Sequence, residues 1–180
     1  MRDALWAPWR RAYIESLSDE DRPAPVSENA PAPASGSFLL DYWRDPDSDA
    51  AHHVIERTDA GLILLNRYPY TNGHLLVALG EARPNLLDYD ADQRATLWAM
   101  VDRGAALAWA ALEPQGLNIG INMGRAAGAG VPSHLHVHII PRWKGDTNFI
   151  TAVGGVRVIP ASLEAMYERY RKAKALLDHR

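Results

Sequence analysis

Ser133-His134-Leu135-His136-Val137-His138-Ile139-Ile140-Pro141-Arg142 is the stretch on which the reading of this chain turns. Successive side chains of an extended strand point to opposite faces. A strand over His134–Ile140 therefore predicts His134, His136 and His138 on one face and Leu135, Val137 and Ile139 on the other, against a core. Packing does not explain a face made only of imidazoles, so it marks chemistry. Metal binding is one candidate, because histidine is the commonest metal ligand. At ~3.3 Å per residue, His134 and His138 stand about 13 Å apart along the strand, so one ion would take two of the three and need a further ligand from His52, His53 or His74. Nucleophilic catalysis suits the spacing better. The central imidazole attacks while its neighbours orient it, and a neutral ring with pKa ~6.5 is a competent nucleophile near neutrality.

Two segments upstream bear on the same site. Gly116-Leu117-Asn118-Ile119-Gly120-Ile121-Asn122 runs into the glycine-rich Gly124–Gly130 and so to the histidines. Glycines let a phosphate approach the backbone, whose N–H groups bind anions. Gly128, Ala129, Gly130 and Ser133 are accordingly expected at the substrate, with donors from Asn118 and Asn122. The third segment, Leu64-Leu65-Asn66-Arg67-Tyr68-Pro69-Tyr70-Thr71-Asn72-Gly73-His74, places Asn66 at a strand end and His74 just beyond a turn. Asn66 is suited to ribose hydroxyls and His74 to the same cleft. A turn asparagine and a capping histidine are the plainer alternatives.

The surrounding pattern predicts an α+β fold, an antiparallel sheet with one long helix across a face. Strands are expected over residues 53–57, 61–66, 74–79 and 117–122. The long helix falls within Pro84–Leu112, with a capping box at Asp90 and Gln93, an apolar stripe of Leu97, Val101, Ala105, Ala108 and Leu112, and a stop at Pro114 and Gly116. A second amphipathic helix is expected at about Leu163–Leu177. Residues 1–14 contain an aromatic block, Leu5–Arg10, expected to dock on the core or a partner subunit. Residues 15–37, rich in Pro, Ala and Ser, read as a linker or long loop, and 38–180 as the domain.

The 180 residues, 47% hydrophobic and 23% charged, suit one ordinary domain. A net charge of −3 argues against a protein that coats nucleic acid. The absence of cysteine removes disulfides and thiol catalysis. No membrane-length apolar run and no secretory leader is evident, so a cytoplasmic protein is expected.

Together these segments resemble the histidine-triad (HIT) family, whose signature is His-φ-His-φ-His-φ-φ with φ apolar; His134–Ile140 matches it completely. The Asn66–His74 segment is similar to the family's Asn-x-x-Pro-x-x-Pro-Gly-His element. Leu5–Arg10, Asn66–Tyr70, Gly116–Asn122 and Pro141–Phe149 resemble blocks of the diadenosine polyphosphate hydrolase and phosphorylase branch. The resemblance implies His136 as nucleophile, His134 and His138 flanking the phosphate, Asn66 at the ribose, Asn122 at the α-phosphate and His74 beside the site. It also implies a homodimer paired through the long helix, with Trp98 and Trp109 as candidates for that interface, and leaves room for higher assembly. Three departures stand out. Many relatives carry Cys-x-x-Cys before the first strand, contributing to a structural zinc site, where this chain has Ser37-Phe38-Leu39-Leu40; Ala129-Gly130 stands where others place Ser, Thr or Gln as a phosphate donor; and Asn72 replaces a proline.

The expected activity is cleavage of dinucleoside polyphosphates, such as diadenosine tetraphosphate, at the α-phosphate through a nucleotidyl-histidine, with water or phosphate as acceptor. No cofactor or protein-bound metal is called for by the histidine chemistry, although a divalent metal can arrive with the polyphosphate. The expected partner is a small nucleotide, with no nucleic acid or membrane. Arg142, Lys144 and Arg125 are candidates for the distal phosphates. Alternatives are a nucleoside phosphoramidate hydrolase, a nucleotidylyltransferase and, in another class, a non-catalytic adenine-nucleotide-binding protein.

Overall fold

A computed structural model describes residues 36–147, 153 and 158–179. The expected docking segment at 1–14, most of the 15–37 linker and the end of the Pro141–Phe149 block lie outside these residues. In chain order the elements are α1 (Phe38–Arg44), β1 (Val54–Arg57), β2 (Gly61–Leu65), β3 (Leu75–Leu79), α2 (Ala91–Leu112), β4 (Gly116–Ile121), β5 (Val137–Arg142) and α3 (Leu163–Asp178). The strands form one antiparallel sheet in the order β1-β2-β3-β5-β4. No helix among the described residues is long and apolar enough to cross a membrane.

The start of α2 is set by the expected box. Asp90 accepts the Gln93 amide at 2.8 Å, and the Gln93 side chain accepts the Asp90 amide at 3.0 Å. Its buried stripe is broader than the expected one, adding Met100, Gly104, Leu107 and Ala111, while Ala105 is only half-buried. Gly104 allows the helix to lie close on the sheet, since a Cβ there would sit 2.6 Å from Ile139 Cδ1. Helix α3 is capped by Ser162, whose hydroxyl accepts the Ala165 amide at 3.2 Å.

Each face of the sheet has its own packing. Ile63, Leu65, Leu75, Val77, Leu135, Val137 and Ile139 pack with α2 and α3 into the larger core. Val54, Leu62, Leu64, Leu76 and Ala78 pack on the other side against Leu39, Phe38, Tyr42 and Trp43 of α1. His138 pairs with Leu76 across β3 and β5 and so belongs to the α1 face.

Two expectations are corrected here. The histidine strand starts at Val137 instead of His134, because the Leu135 amide leaves the sheet ladder to bond the Arg83 carbonyl at 2.7 Å. The apolar half of the alternation survives, with Leu135, Val137 and Ile139 all buried. Ser37, assigned from sequence to the end of the linker, is a buried N-cap of α1, a helix that the pattern of apolar residues had not indicated.

Candidate active site

His136 is 5% exposed, and its Nδ1 lies 2.9 Å from the main-chain carbonyl of His134. A carbonyl only accepts, so Nδ1 carries the proton and the neutral ring presents Nε2 as a lone pair. Burial pushes the His136 pKa down, against the raising effect of that hydrogen bond. The ring is therefore neutral near pH 7, and among the described residues no hydrogen-bond partner meets Nε2. This is the protonation state a nitrogen nucleophile requires.

The proton positions of its neighbours follow from main-chain groups in the same way. The Tyr70 amide donates to His74 Nδ1 at 3.1 Å, so His74 holds its proton on Nε2. That Nε2 lies 2.9 Å from His138 Nδ1 and donates to it. His138 in turn carries its proton on Nε2. Burial, reinforced by the charge His136 would bear, pushes the His138 pKa down to about 4. At neutral pH His138 Nε2 is thus a hydrogen-bond donor, and the carboxamide of Asn122, 3.5 Å away, accepts it only when turned to present its oxygen. The His136 and His138 ring centroids are 4.9 Å apart.

His134, expected from the resemblance to flank the phosphate, is bonded on both sides of its ring by the protein. It is fully buried, with Nδ1 2.7 Å from Ser37 Oγ and Nε2 2.8 Å from the Leu79 carbonyl. Both ring nitrogens are engaged by protein groups, and its carbonyl accepts from His136. Burial lowers its pKa as well, ahead of the raising bond to Leu79.

Strand β4 supplies the floor of the site. Asn118 and Gly120 pair with Ile140 and His138, placing Asn118, Gly120 and Asn122 on the histidine face by alternation. Gly120 leaves space beside His138, since a Cβ there would meet nothing within 4 Å. Asn118 is not brought to the imidazoles; its Oδ1 accepts from Arg142 at 2.7 Å. Arg142 also grips Asp146 through two hydrogen bonds of 2.6 and 2.7 Å, which hold that carboxyl well below the usual range. Its charge is therefore already balanced. Asn66 accepts the Tyr68 amide at 2.9 Å and places its own amide 3.3 Å from His74 Nδ1, closing the 66–74 loop over the site.

The glycine loop is folded on itself more than expected. The amides of Ala127, Gly128 and Ala129 bond the carbonyls of Gly124, Arg125 and Gly124 at 3.2, 2.9 and 3.2 Å. Gly128 adopts φ +86°, a conformation that favours glycine, to close that turn. Of the three expected anion donors, the Gly130 amide has no such internal bond among the described residues. Ser133 Oγ donates to the Gly36 carbonyl at 3.3 Å.

Two contributors escaped the sequence reading. Tyr70 lies against His138 and His74 and was noted only as part of a motif. Ser37, which contacts His134, could have been found as a helix-capping serine ahead of Phe38-Leu39-Leu40. Beyond Tyr70 a cavity of about 580 Å³ is lined in part by Thr71, Arg142, Trp143 and Lys144. Among the described residues no group of three or more His, Asp or Glu side chains is arranged to hold a metal ion.

The chain is similar to several known proteins. The AP-4-A phosphorylase of Mycobacterium tuberculosis (strain ATCC 25618 / H37Rv) is 36% identical over 160 residues, covering 88% of this chain and 77% of that protein. The asymmetrical bis(5'-nucleosyl)-tetraphosphatase of Schizosaccharomyces pombe is 37% identical over 93 residues, 52% of this chain and 50% of its own. The crystal structure of a Zn-bound histidine triad family protein from Mycobacterium smegmatis superposes with a TM-score of 0.62 at 31% identity, over 77% of this chain and 94% of that one. The model of the HIT domain matches residues 48–145, and the chain belongs to the HIT (histidine-triad) family.

Proposed function

We propose that this protein cleaves dinucleoside polyphosphates, such as diadenosine tetraphosphate, at the α-phosphate through a nucleotidyl-His136 intermediate. The observation that carries the reading is the His136 Nδ1–H bond to the His134 carbonyl, which leaves Nε2 unprotonated inside a buried, neutral ring. Nε2 attacks the α-phosphorus, the bond to the bridging oxygen breaks, and its electron pair leaves on the departing polyphosphate. A nucleoside polyphosphate is a stable anion, so its departure needs no proton from the enzyme. His138 Nε2–H and the Gly130 amide donate to the oxygens on which charge gathers, and such preorganised donors are the usual main source of acceleration. The imidazolium formed keeps Nδ1–H on the His134 carbonyl. Attack by the acceptor then breaks the N–P bond and returns its electron pair to Nε2.

Asn66 is assigned to the ribose and Asn122 to the α-phosphate, while the cavity beyond Tyr70 suits the departing half of the substrate. The likeness to an AP-4-A phosphorylase over most of the chain favours inorganic phosphate as acceptor. The same proposal includes a cytoplasmic homodimer. In support, β4 is an edge strand, and Ile119, Trp98 and Trp109 are 43%, 44% and 47% exposed; light scattering measures the mass directly.

The test is to incubate the protein with diadenosine tetraphosphate, with and without phosphate, and resolve the products. ADP and ATP formed only with phosphate identify a phosphorylase; AMP and ATP regardless of phosphate identify a hydrolase. His136→Asn should lower turnover by roughly 10⁴-fold or more while nucleotide still binds. Wild-type turnover in that variant, or no product from the parent, would overturn the reading.

A further inference from the structure

Ser37 and His134 lie 97 residues apart in sequence and are 1% and 0% exposed, with Oγ and Nδ1 2.7 Å apart. On the other side of the ring, Nε2 is 2.8 Å from the Leu79 carbonyl. Since that carbonyl can only accept, Nε2 carries the proton and Nδ1 is a lone pair. The bond to Ser37 is then donated by the hydroxyl. The same oxygen lies 3.4 Å from the Leu40 amide and accepts it at the start of α1. Ser133 donates to the Gly36 carbonyl at 3.3 Å, so two adjacent residues ahead of α1 hold two adjacent residues ahead of the nucleophile.

We propose that Ser37 is a positioning residue for the reaction: its hydroxyl holds His134 in the Nε2–H tautomer and thereby seats the His134 carbonyl that orients His136. The inference rests on His136 as nucleophile. The path is short and contiguous. The Leu40 amide is accepted by the Ser37 hydroxyl, the hydroxyl donates to the His134 ring, and the His134 carbonyl takes the Nδ1 proton of His136. A ring released from Ser37 is anchored only at Leu79, and the carbonyl shares its residue's freedom to turn. Nucleophilic attack is sensitive to small displacements, at about 10²-fold for 1 Å.

A helix cap and a positioning hydroxyl make different predictions for glycine. Relative to serine, glycine at an N-cap weakens a helix far less than alanine does. Ser37→Gly should therefore keep α1 while removing the hydroxyl. The expected result is that Ser37→Gly and Ser37→Ala lose kcat alike, by roughly 10–10²-fold, with KM nearly unchanged. Nitrogen-15 NMR of the imidazoles gives a second readout that does not depend on activity. The parent should show His134 protonated at Nε2 and a protected His136 Nδ1–H, and in Ser37→Gly that proton should exchange faster. Parental kcat in Ser37→Gly, or an unchanged His136 Nδ1–H signal, would overturn the proposal while leaving the nucleotide reading intact. If the parent turns over no nucleotide, that reading falls, and the NMR comparison still decides whether Ser37 orients His136.

Discussion

The ring of Tyr70 lies nearly parallel to that of His138, with centroids 5.6 Å apart and planes inclined by 19°. Tyr70 is 38% exposed and His138 only 6%, so the tyrosine stands between the imidazole and solvent. Burial is the main reason the His138 pKa lies near 4. Tyr70→Ala should admit water, and the His138 pKa should rise toward ~6.5. The Tyr70 amide that bonds His74 is retained in the variant. An NMR titration of the His138 ring measures the shift, and a value still near 4 would show that other groups keep it dry.

Replacing His74 should damage catalysis and stability together. His74→Phe keeps an aromatic ring but removes the donor to His138 Nδ1 and the acceptor for the Tyr70 amide. His138 then loses the bond that fixes its proton on Nε2. We expect kcat to fall by about 10–10²-fold and stability by about 1–3 kcal/mol, from polar groups left without partners. Steady-state kinetics and a denaturant midpoint on the same sample test both parts.

Acid should destabilise the fold through the same histidines. Burial lowers the pKa values of His134, His136 and His138 below the unfolded value of ~6.5. The unfolded chain therefore takes up protons first as pH falls. Stability from these rings is complete above pH ~6.5 and is lost as pH drops through the folded values, down to about 4 for His138. His138 alone accounts for on the order of 3 kcal/mol across that window. Thermal melts between pH 7.5 and 4 should show Tm falling mostly below 6.5. His138→Gln should flatten the slope.

Gly61→Ala should be among the most damaging of the small substitutions. A Cβ on Gly61 would lie 2.1 Å from the Ala78 carbonyl oxygen and 2.8 Å from Leu79 Cα. These are backbone atoms of β3, and the pair Gly61–Leu79 ends the β2–β3 ladder, so neither strand can yield without losing register. A loss of about 3 kcal/mol or more is expected, read as a fall in Tm at constant pH.

What the sequence disclosed and what it concealed have separate physical causes. The pleat repeats every two residues, so Leu135, Val137 and Ile139 could be assigned to the core from spacing alone. Asp90 and Gln93 carry their capping function in their side chains and could be read as a pair. Helix α1 spans seven residues, too few to display a helical repeat. The roles within the triad were hidden for another reason. The Leu79 and His134 carbonyls and the Tyr70 amide decide which nitrogen of each ring holds a proton, and every residue type offers the same groups. The glycine loop shows the same limit. Its composition indicated accessible amides, while their commitment to Gly124 and Arg125 depends on the turn adopted.

The imidazole chain begins at a peptide N–H, from Tyr70, and the Nδ1 proton of His136 ends on a peptide C=O, from His134. Peptide groups do not titrate in water, so the direction of every dipole in the array is fixed by groups that acidity cannot reverse. His134, His136 and His138, all held by burial below the ordinary imidazole range, consequently contribute little buffering around neutrality. Small pH changes around neutrality would leave the charge on His134, His136 and His138 nearly unaltered.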